Sequence, residues 1–335
     1  MTRIFLTHNR SALRHYYGDR AYELLSSLGE VRFHDSDDDT SAEDIIAQAT
    51  DCEILVSFRI PPIDASLMKA LPKLAAICRV AVDIRNIDLE SANRLGILVT
   101  RASPGFGPSV SEWIIGNMIN LARHIPQAFR AYQDGIMPVQ KMGTELRGST
   151  LGIIGYGTIG KALARLAQAF GMQILVNDPY ATVPQDSGMR QSELEPLLTD
   201  SDFVVCLAPV TPETMHLIDI SRLRLMRKSA YFINASRAEL VNEEDLRQAL
   251  DDGLIAGCAL DVGSAKDQSP PLALAGHPKI IATPHIGGLT PQAAEHQAMD
   301  SVRQVEALLS GRVPECSVNA RYATRARERF GLTLP

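Results

Sequence analysis

Leu151-Gly152-Ile153-Ile154-Gly155-Tyr156-Gly157-Thr158-Ile159-Gly160 decides how this chain is read. An apolar run leads into glycines spaced G-x-G-x-x-G. A helical pattern leads out, with Ile159, Ala162, Leu163, Leu166, Ala167 and Phe170 on one face. Gly171 is placed to end that helix in the left-handed conformation. In such a turn the first glycine permits a tight reversal and the second lets the main chain approach a pyrophosphate. The third lets the helix pack on the strand, and the helix N-terminus attracts the phosphates. Asp178 follows the next apolar run, 18 residues past Gly160. An acid there accepts hydrogen bonds from ribose hydroxyls and repels a 2′-phosphate, which favours NAD over NADP. The competing reading, a glycine turn beside a surface aspartate, leaves the register of strand, glycines, helix and acid unexplained.

Outward from this stretch the same alternation continues. Strands are expected at Thr150–Ile154, Gln173–Asn177, Phe203–Leu207, Ala230–Asn234, Ile255–Val262 and Ile280–Ala282. Toward the N-terminus, Arg3–Thr7, Val31–His34, Glu53–Ser57, Leu74–Arg79 and Ile97–Thr100 form a second strand–helix series, so two parallel-sheet α/β domains are expected. The helical pattern Pro291–Leu309 is expected to return the chain to the first of them. That gives a discontinuous domain, 1–102 plus 292–335, around a dinucleotide-binding domain, 103–291. Ser109-Val110-Ser111-Glu112 has the form of a capping box, opening a helix that is apolar almost all round and so suited to a domain or subunit interface.

The 335 residues carry 33 Lys and Arg against 39 Asp and Glu, a net charge of −6, which disfavours nucleic-acid binding. Five scattered cysteines, with no Cys-x-x-Cys pair, read as reduced thiols in a cytoplasmic protein and offer neither a disulfide framework nor a metal site. No apolar run approaches the length of a membrane span, so no membrane partner is expected.

Three segments break local rules where strands are expected to end. Asn234-Ala235-Ser236-Arg237 puts an arginine just past an apolar run, Asp261 puts a carboxylate at another, and Thr283-Pro284-His285-Ile286-Gly287-Gly288 follows a third. Ligands of open α/β sheets bind at the carboxyl ends of strands. An arginine there is a two-pronged donor for a carboxylate, and a histidine exchanges protons near neutrality.

With these segments in order, the chain resembles the D-isomer-specific 2-hydroxyacid dehydrogenases, whose members include phosphoglycerate, glyoxylate/hydroxypyruvate and formate dehydrogenases. Further shared stretches are Asn86-Ile87-Asp88, Ser103-Pro104-Gly105, Asp178-Pro179-Tyr180, Leu207 through Thr214, and Val241-Asn242-Glu243-Glu244. The resemblance implies two Rossmann- or flavodoxin-like domains with the active site in the cleft between them. It also implies a homodimer formed through the cofactor domain. Its matching positions make His285 the acid/base, Arg237 the substrate-orienting group, and Asp261 a residue on the nicotinamide side. NAD contacts are implied for Gly155, Tyr156, Gly157, Thr158, Ile159, Gly160, Asp178, Leu207, Ala208, Pro209, Thr214, Ala235, Ser236 and Gly287. Substrate contacts are implied for Arg79, Ala81, Val82, Asp83 and Arg85.

The implied activity is hydride transfer between NAD(H) and a 2-hydroxy or 2-oxo acid. A lyase or hydrolase that keeps NAD bound, and an NAD-responsive binding protein, are the rival functions. Two departures from the family pattern bear on the site. Lys266 stands where the family has the glutamate that pairs with the histidine, leaving Asp267 or Gln268 as the candidate partner. In the substrate loop Ala81 and Asp83 replace glycines and Arg85 replaces an aspartate. Asp83 then either brings negative charge toward a substrate carboxylate, implying an atypical substrate, or pairs with Arg85 and reshapes the loop.

Overall fold

A computed structural model describes residues 1–333, so the last two positions of the expected 292–335 segment lie outside the described residues. The chain forms two compact units, Met1–Gly105 with the segment from Pro291 onward, and Phe106–Thr290.

The first unit is built on β1 (Arg3–Leu6), β2 (Glu30–Phe33), β3 (Ile54–Ser57), β4 (Ala76–Arg79) and β5 (Leu98–Arg101). They form one parallel sheet in the order β2-β1-β3-β4-β5. β3 and β4 are buried along their whole length, as expected where helices cover both faces of a parallel sheet. Ser41 caps the helix Ala42–Ala49 and exchanges bonds with Asp44, so Glu43 and Asp44 sit at the positive end of the helix. The helix Pro291–Leu309 belongs here because Ala298, Val302, Val305 and Leu308 pack into this unit's core, and polar groups beside them find partners. Thr100 Oγ1 donates to Gln304 Oε1 at 2.6 Å, Tyr17 shares a 2.9 Å bond with Ser301, and the Ser103 amide donates to Asp300 at 2.7 Å.

The second unit contains β6 (Thr150–Ile154), β7 (Gln173–Asn177), β8 (Arg190–Gln191), β9 (Phe203–Cys206), β10 (Tyr231–Asn234), β11 (Gly257–Leu260) and β12 (Ile280–Ala282). The sheet is again parallel, in the order β12-β11-β10-β9-β6-β7-β8. Strand order reverses between β6 and β9, so the crevice where such sheets bind ligands opens beside the glycine turn. The strand β8 is not predicted: two residues on a sheet edge carry no periodicity.

The capping box expected at Ser109–Glu112 does not form. The helix runs Gly107–Ala122 with Pro108 in its first turn, where a missing N–H costs nothing, so the serine lies too late to cap it. Ser109 Oγ instead bonds Thr290 Oγ1 at 2.7 Å. Ile114, Met118, Leu121 and Ala122 of this helix join a core with Leu163, Ala164 and Ala167 from the helix Thr158–Ala169. Most of its apolar girth is consumed inside its own unit.

Candidate active site

The glycine turn has the geometry its spacing predicts. Gly155 lies at φ +99°, and a Cβ there would meet the Leu207 carbonyl carbon at 2.7 Å. A Cβ on Gly160 would meet the Gly155 carbonyl oxygen at 2.4 Å, so helix and strand close to a separation that only glycine permits. Around Gly157 a Cβ would meet no atom within 4 Å, which leaves the approach to the helix open. That helix starts at Thr158 with no side-chain cap, so its first-turn N–H groups lack a side-chain acceptor. An open cradle ending in uncapped N–H groups fits a pyrophosphate.

Asp178, just past β7, is held by the Tyr156 amide at 2.7 Å and by the Tyr180 and Ala181 amides at 2.8 and 3.0 Å. The carboxylate is thereby fixed while retaining lone pairs for ribose hydroxyls. Tyr156 turns inward, its hydroxyl donating to Met189 Sδ at 3.7 Å, so this position offers the cradle only main chain.

Beyond β9, Leu207, Ala208 and Pro209 run past the turn. Thr214 donates to the Pro209 carbonyl at 2.7 Å, and Ser236 donates to that of Ala208 at 2.7 Å. Beyond β10, buried Asn234 accepts from the Ser236 amide and donates to the Arg237 carbonyl, at 3.1 and 2.9 Å, folding Ala235 and Ser236 into a fixed loop. The half-buried Arg237 donates to its neighbour's carbonyl, Ser236 O, at 2.7 Å, and among the described residues no carboxylate pairs with it.

Asp261 ends β11 and is only 3% exposed. Its Oδ1 accepts from Thr283 Oγ1 at 2.6 Å and from the Ile286 amide at 2.8 Å, and its Oδ2 from the Gly287 amide at 2.7 Å. All three donors come from the loop that carries His285. A Cβ on Gly287 would lie 2.8 Å from that carboxylate, so the close approach depends on glycine. His285 itself sits at φ +55°, a region that costs a non-glycine residue energy, and the clamp on both sides of it supplies the compensation.

In register, Asn234 pairs with Leu260 and Leu260 with Ala282. Arg237 and His285 each lie three residues past the strands β10 and β12 that flank β11, strands about 10 Å apart by ordinary sheet spacing. Of the two candidate partners, Asp267 carries a charge that interacts with the histidine. Bonds from Ser269 foremost, with attraction to His285 adding, hold its carboxyl below the usual carboxylate range. Gln268 sits at φ +66° and gives its carbonyl to the Gly263 amide at 2.9 Å, which tightens the turn presenting Asp267.

In the first unit, Arg79 ends β4 and is 7% exposed. The Ala81 carbonyl accepts from the Ala102 amide at 2.9 Å, and Val82 is half-buried. Asp83 and Arg85 pair with each other: Nε lies 2.9 Å and Nη2 2.8 Å from Oδ2, and the Arg85 amide caps Oδ1 at 2.9 Å. The alternative that Asp83 presents bare negative charge is thereby overturned. Sequence reasoning passed over His8 and Arg59, which follow β1 and β3. The strand-end rule that singled out Arg237 and His285, applied to the first sheet, finds both.

The model of the D-isomer specific 2-hydroxyacid dehydrogenase NAD binding domain matches residues 115–287. The chain belongs to the D-isomer-specific 2-hydroxyacid dehydrogenase family. A glyoxylate reductase of Aeropyrum pernix is 32% identical over 309 residues, 89% of this chain and 92% of that protein. A D-3-phosphoglycerate dehydrogenase of Sus scrofa is 36% identical over 291 residues, covering 85% of this chain. This family member spans about half, 54%, of the length of that relative. Among solved structures, the TT0316 protein of Thermus thermophilus superposes with a TM-score of 0.82 at 28% identity, covering 95% of this chain and all of that one. D-2-hydroxyisocaproate dehydrogenase, at 21% identity and a TM-score of 0.85 over 95% of this chain and all of that one, shares the fold. Among the described residues, no helix is long and apolar enough to cross a membrane.

Proposed function

We propose that this protein is an NAD-dependent oxidoreductase interconverting a 2-hydroxy acid and its 2-oxo acid. The observation that carries this reading is the Asp261 clamp, which holds His285 in a costly backbone conformation two strands from an arginine that has no carboxylate partner among the described residues.

A bound nicotinamide supplies the two-electron acceptor or donor. Gly155, Gly157, Gly160 and the helix behind them would hold its phosphates, and Asp178 its adenosine ribose. His285 removes the proton from the substrate hydroxyl during oxidation and returns it during reduction. Arg237 receives the substrate carboxylate in its fork and draws charge from the neighbouring oxygen. Asp261 positions the histidine's loop, and Asp267 stabilises the imidazolium through space.

Asp178 favours NADH over NADPH, because a 2′-phosphate beside a fixed carboxylate is repelled. Five free cysteines suit a reducing, cytoplasmic setting. A homodimer is supported by the helix Ile125–Gln133 and the segment after it. Phe129, Tyr132, Ile136, Met137, Val139 and Met142 form an exposed apolar run on the second unit that a second copy would cover. Light scattering is expected to find a dimer that Phe129→Asp weakens; a monomeric wild type rejects it.

The test of the activity is nicotinamide absorbance with a panel of 2-oxo acids. Steady NADH oxidation, at least ~10-fold faster than with NADPH, is expected. Substrate consumption without net NADH change would replace it with transient oxidation.

A further inference from the structure

We propose that Gln191 is a positioning residue for cofactor choice: it holds the loop that aims Asp178, and so sets the preference for NAD over NADP through that carboxylate. This rests on the assignment of Asp178 to the adenosine ribose above.

β8 closes the edge of the second sheet, with Gln191 opposite Val176. Its ladder is short, but the Gln191 amide spans the loop that joins β7 to β8. Its Nε2 donates to the Asp178 and Ala181 carbonyls, both at 3.2 Å, and its Oε1 accepts from the Val183 amide at 3.0 Å. Carbonyls only accept and a backbone N–H only donates, so these partners fix which way the side chain is turned. Three bonds from one planar group tie residues 178–183 to the sheet edge. Within the loop, Asp178 Oδ1 accepts from the Tyr180 and Ala181 amides. Ala181 is therefore bonded to the carboxylate through its N–H and to Gln191 through its carbonyl, which sets carboxylate and loop as one piece.

The other carboxylate oxygen is braced from the same edge. Met189 stands two residues before Gln191, and its Sδ accepts from the Tyr156 hydroxyl at 3.7 Å. The Tyr156 amide donates to Asp178 Oδ2 at 2.7 Å. Arg190, between them, pairs instead with Asp200 at 3.5 Å, the alternation of an extended strand. With one oxygen tied to each support, the carboxylate has a single orientation to offer. Ribose hydroxyls need it within hydrogen-bond reach, and its repulsion of a 2′-phosphate weakens with distance. A carboxylate free to swing away would lose both effects, and with them the discrimination. Gln191 is itself exposed, so its loss frees this loop at little cost to the fold.

The test measures dissociation constants for NADH and NADPH by fluorescence titration, without substrate, in wild type, Gln191→Met, Gln191→Glu, Arg190→Met and Asp178→Ser. Gln191→Met keeps the length of the side chain and removes all three bonds. It is expected to weaken NADH binding ~3–10-fold and NADPH binding less, so that the NADPH-to-NADH ratio of dissociation constants falls at least ~3-fold. The urea unfolding midpoint should stay close to wild type, and in turnover the loss should appear in KM for NADH rather than in kcat. Gln191→Glu, which keeps the acceptor and loses both donors, should lower the ratio too, and it decides the matter should Gln191→Met fail to fold. Arg190→Met, on the other face of the strand, should leave the ratio as it is. An unchanged ratio in the Gln191 variants overturns the proposal, as does an equal fall in Arg190→Met, which would make β8 a structural edge only. Asp178→Ser separates premise from inference. If it lowers the ratio and the Gln191 variants do not, the ribose assignment stands and the positioning role fails. If it leaves the ratio unchanged, the ribose assignment itself fails and takes the proposal with it.

Discussion

The two sheets meet the same problem, a row of polar side chains at the carboxyl ends of parallel strands, and solve it differently. In the second unit nearly every group is bound in place. Asp178 accepts from three amides, Asn234 bridges its loop, and Asp261 takes three donors from the loop of His285. In the first unit, among the described residues, Arg79 has carbonyls but no carboxylate, and the His8 side chain has no hydrogen bond. A site that performs one reaction profits from groups that need not reorganise, since fixed dipoles cost nothing at the moment of reaction. A site that selects among substrates leaves its donors for the ligand. The contrast explains how a chain can keep its family's chemistry while departing from the family pattern in the substrate loop.

The largest effect that would break this contrast belongs to His285. His285→Ala is expected to lower kcat by ~10²–10⁴-fold while NADH binding, followed by fluorescence titration, stays intact. Full activity in that variant would remove the proton-transfer role. Next comes Asp261→Ala, which strands the Ile286 and Gly287 amides. A stability loss of ~1–3 kcal/mol in urea unfolding is expected, with kcat falling far more than KM rises. A loss of stability with unchanged kcat would make Asp261 a packing residue only.

A third effect concerns pH and the first unit. Burial holds His8 near a pKa of about 3 when folded against 6.5 for a free histidine. Between those values the unfolded chain binds a proton that the folded chain refuses, so stability is lost as pH falls below about 6.5. The slope from this residue approaches ~1.4 kcal/mol per pH unit. His8→Phe should flatten the dependence of melting temperature on pH between 6.5 and 4, and equal slopes in the two proteins would contradict it.

The smallest effect is assigned to Asp267. Asp267→Asn removes a negative charge that favours imidazolium, so the pH limb of His285 should move toward lower pH. An unmoved limb would assign the coupling to other groups.

Local pattern made the second unit legible. Glycines, an acid and apolar strands act through spacings of fewer than about 20 residues, and parallel strands buried on both faces announce themselves as apolar runs. The substrate end of the first unit was less legible because its features depend on packing between distant segments. Nothing near His8 in sequence says that Phe58 and Tyr17 will enclose it. The Asp83–Arg85 pair needed the loop's course before either of its two readings could be chosen. Ser109 misled for a simpler reason: Pro108 starts its helix earlier than the serine-glutamate spacing suggests.

The most direct test of the account is a structure of the protein with NAD and an unreactive substrate analogue that keeps the 2-oxygen and the carboxylate. An imidazole nitrogen of His285 should lie within about 3 Å of that oxygen, with the Arg237 fork on the carboxylate. A ligand bound with His285 beyond hydrogen-bond reach of every substrate oxygen would contradict it.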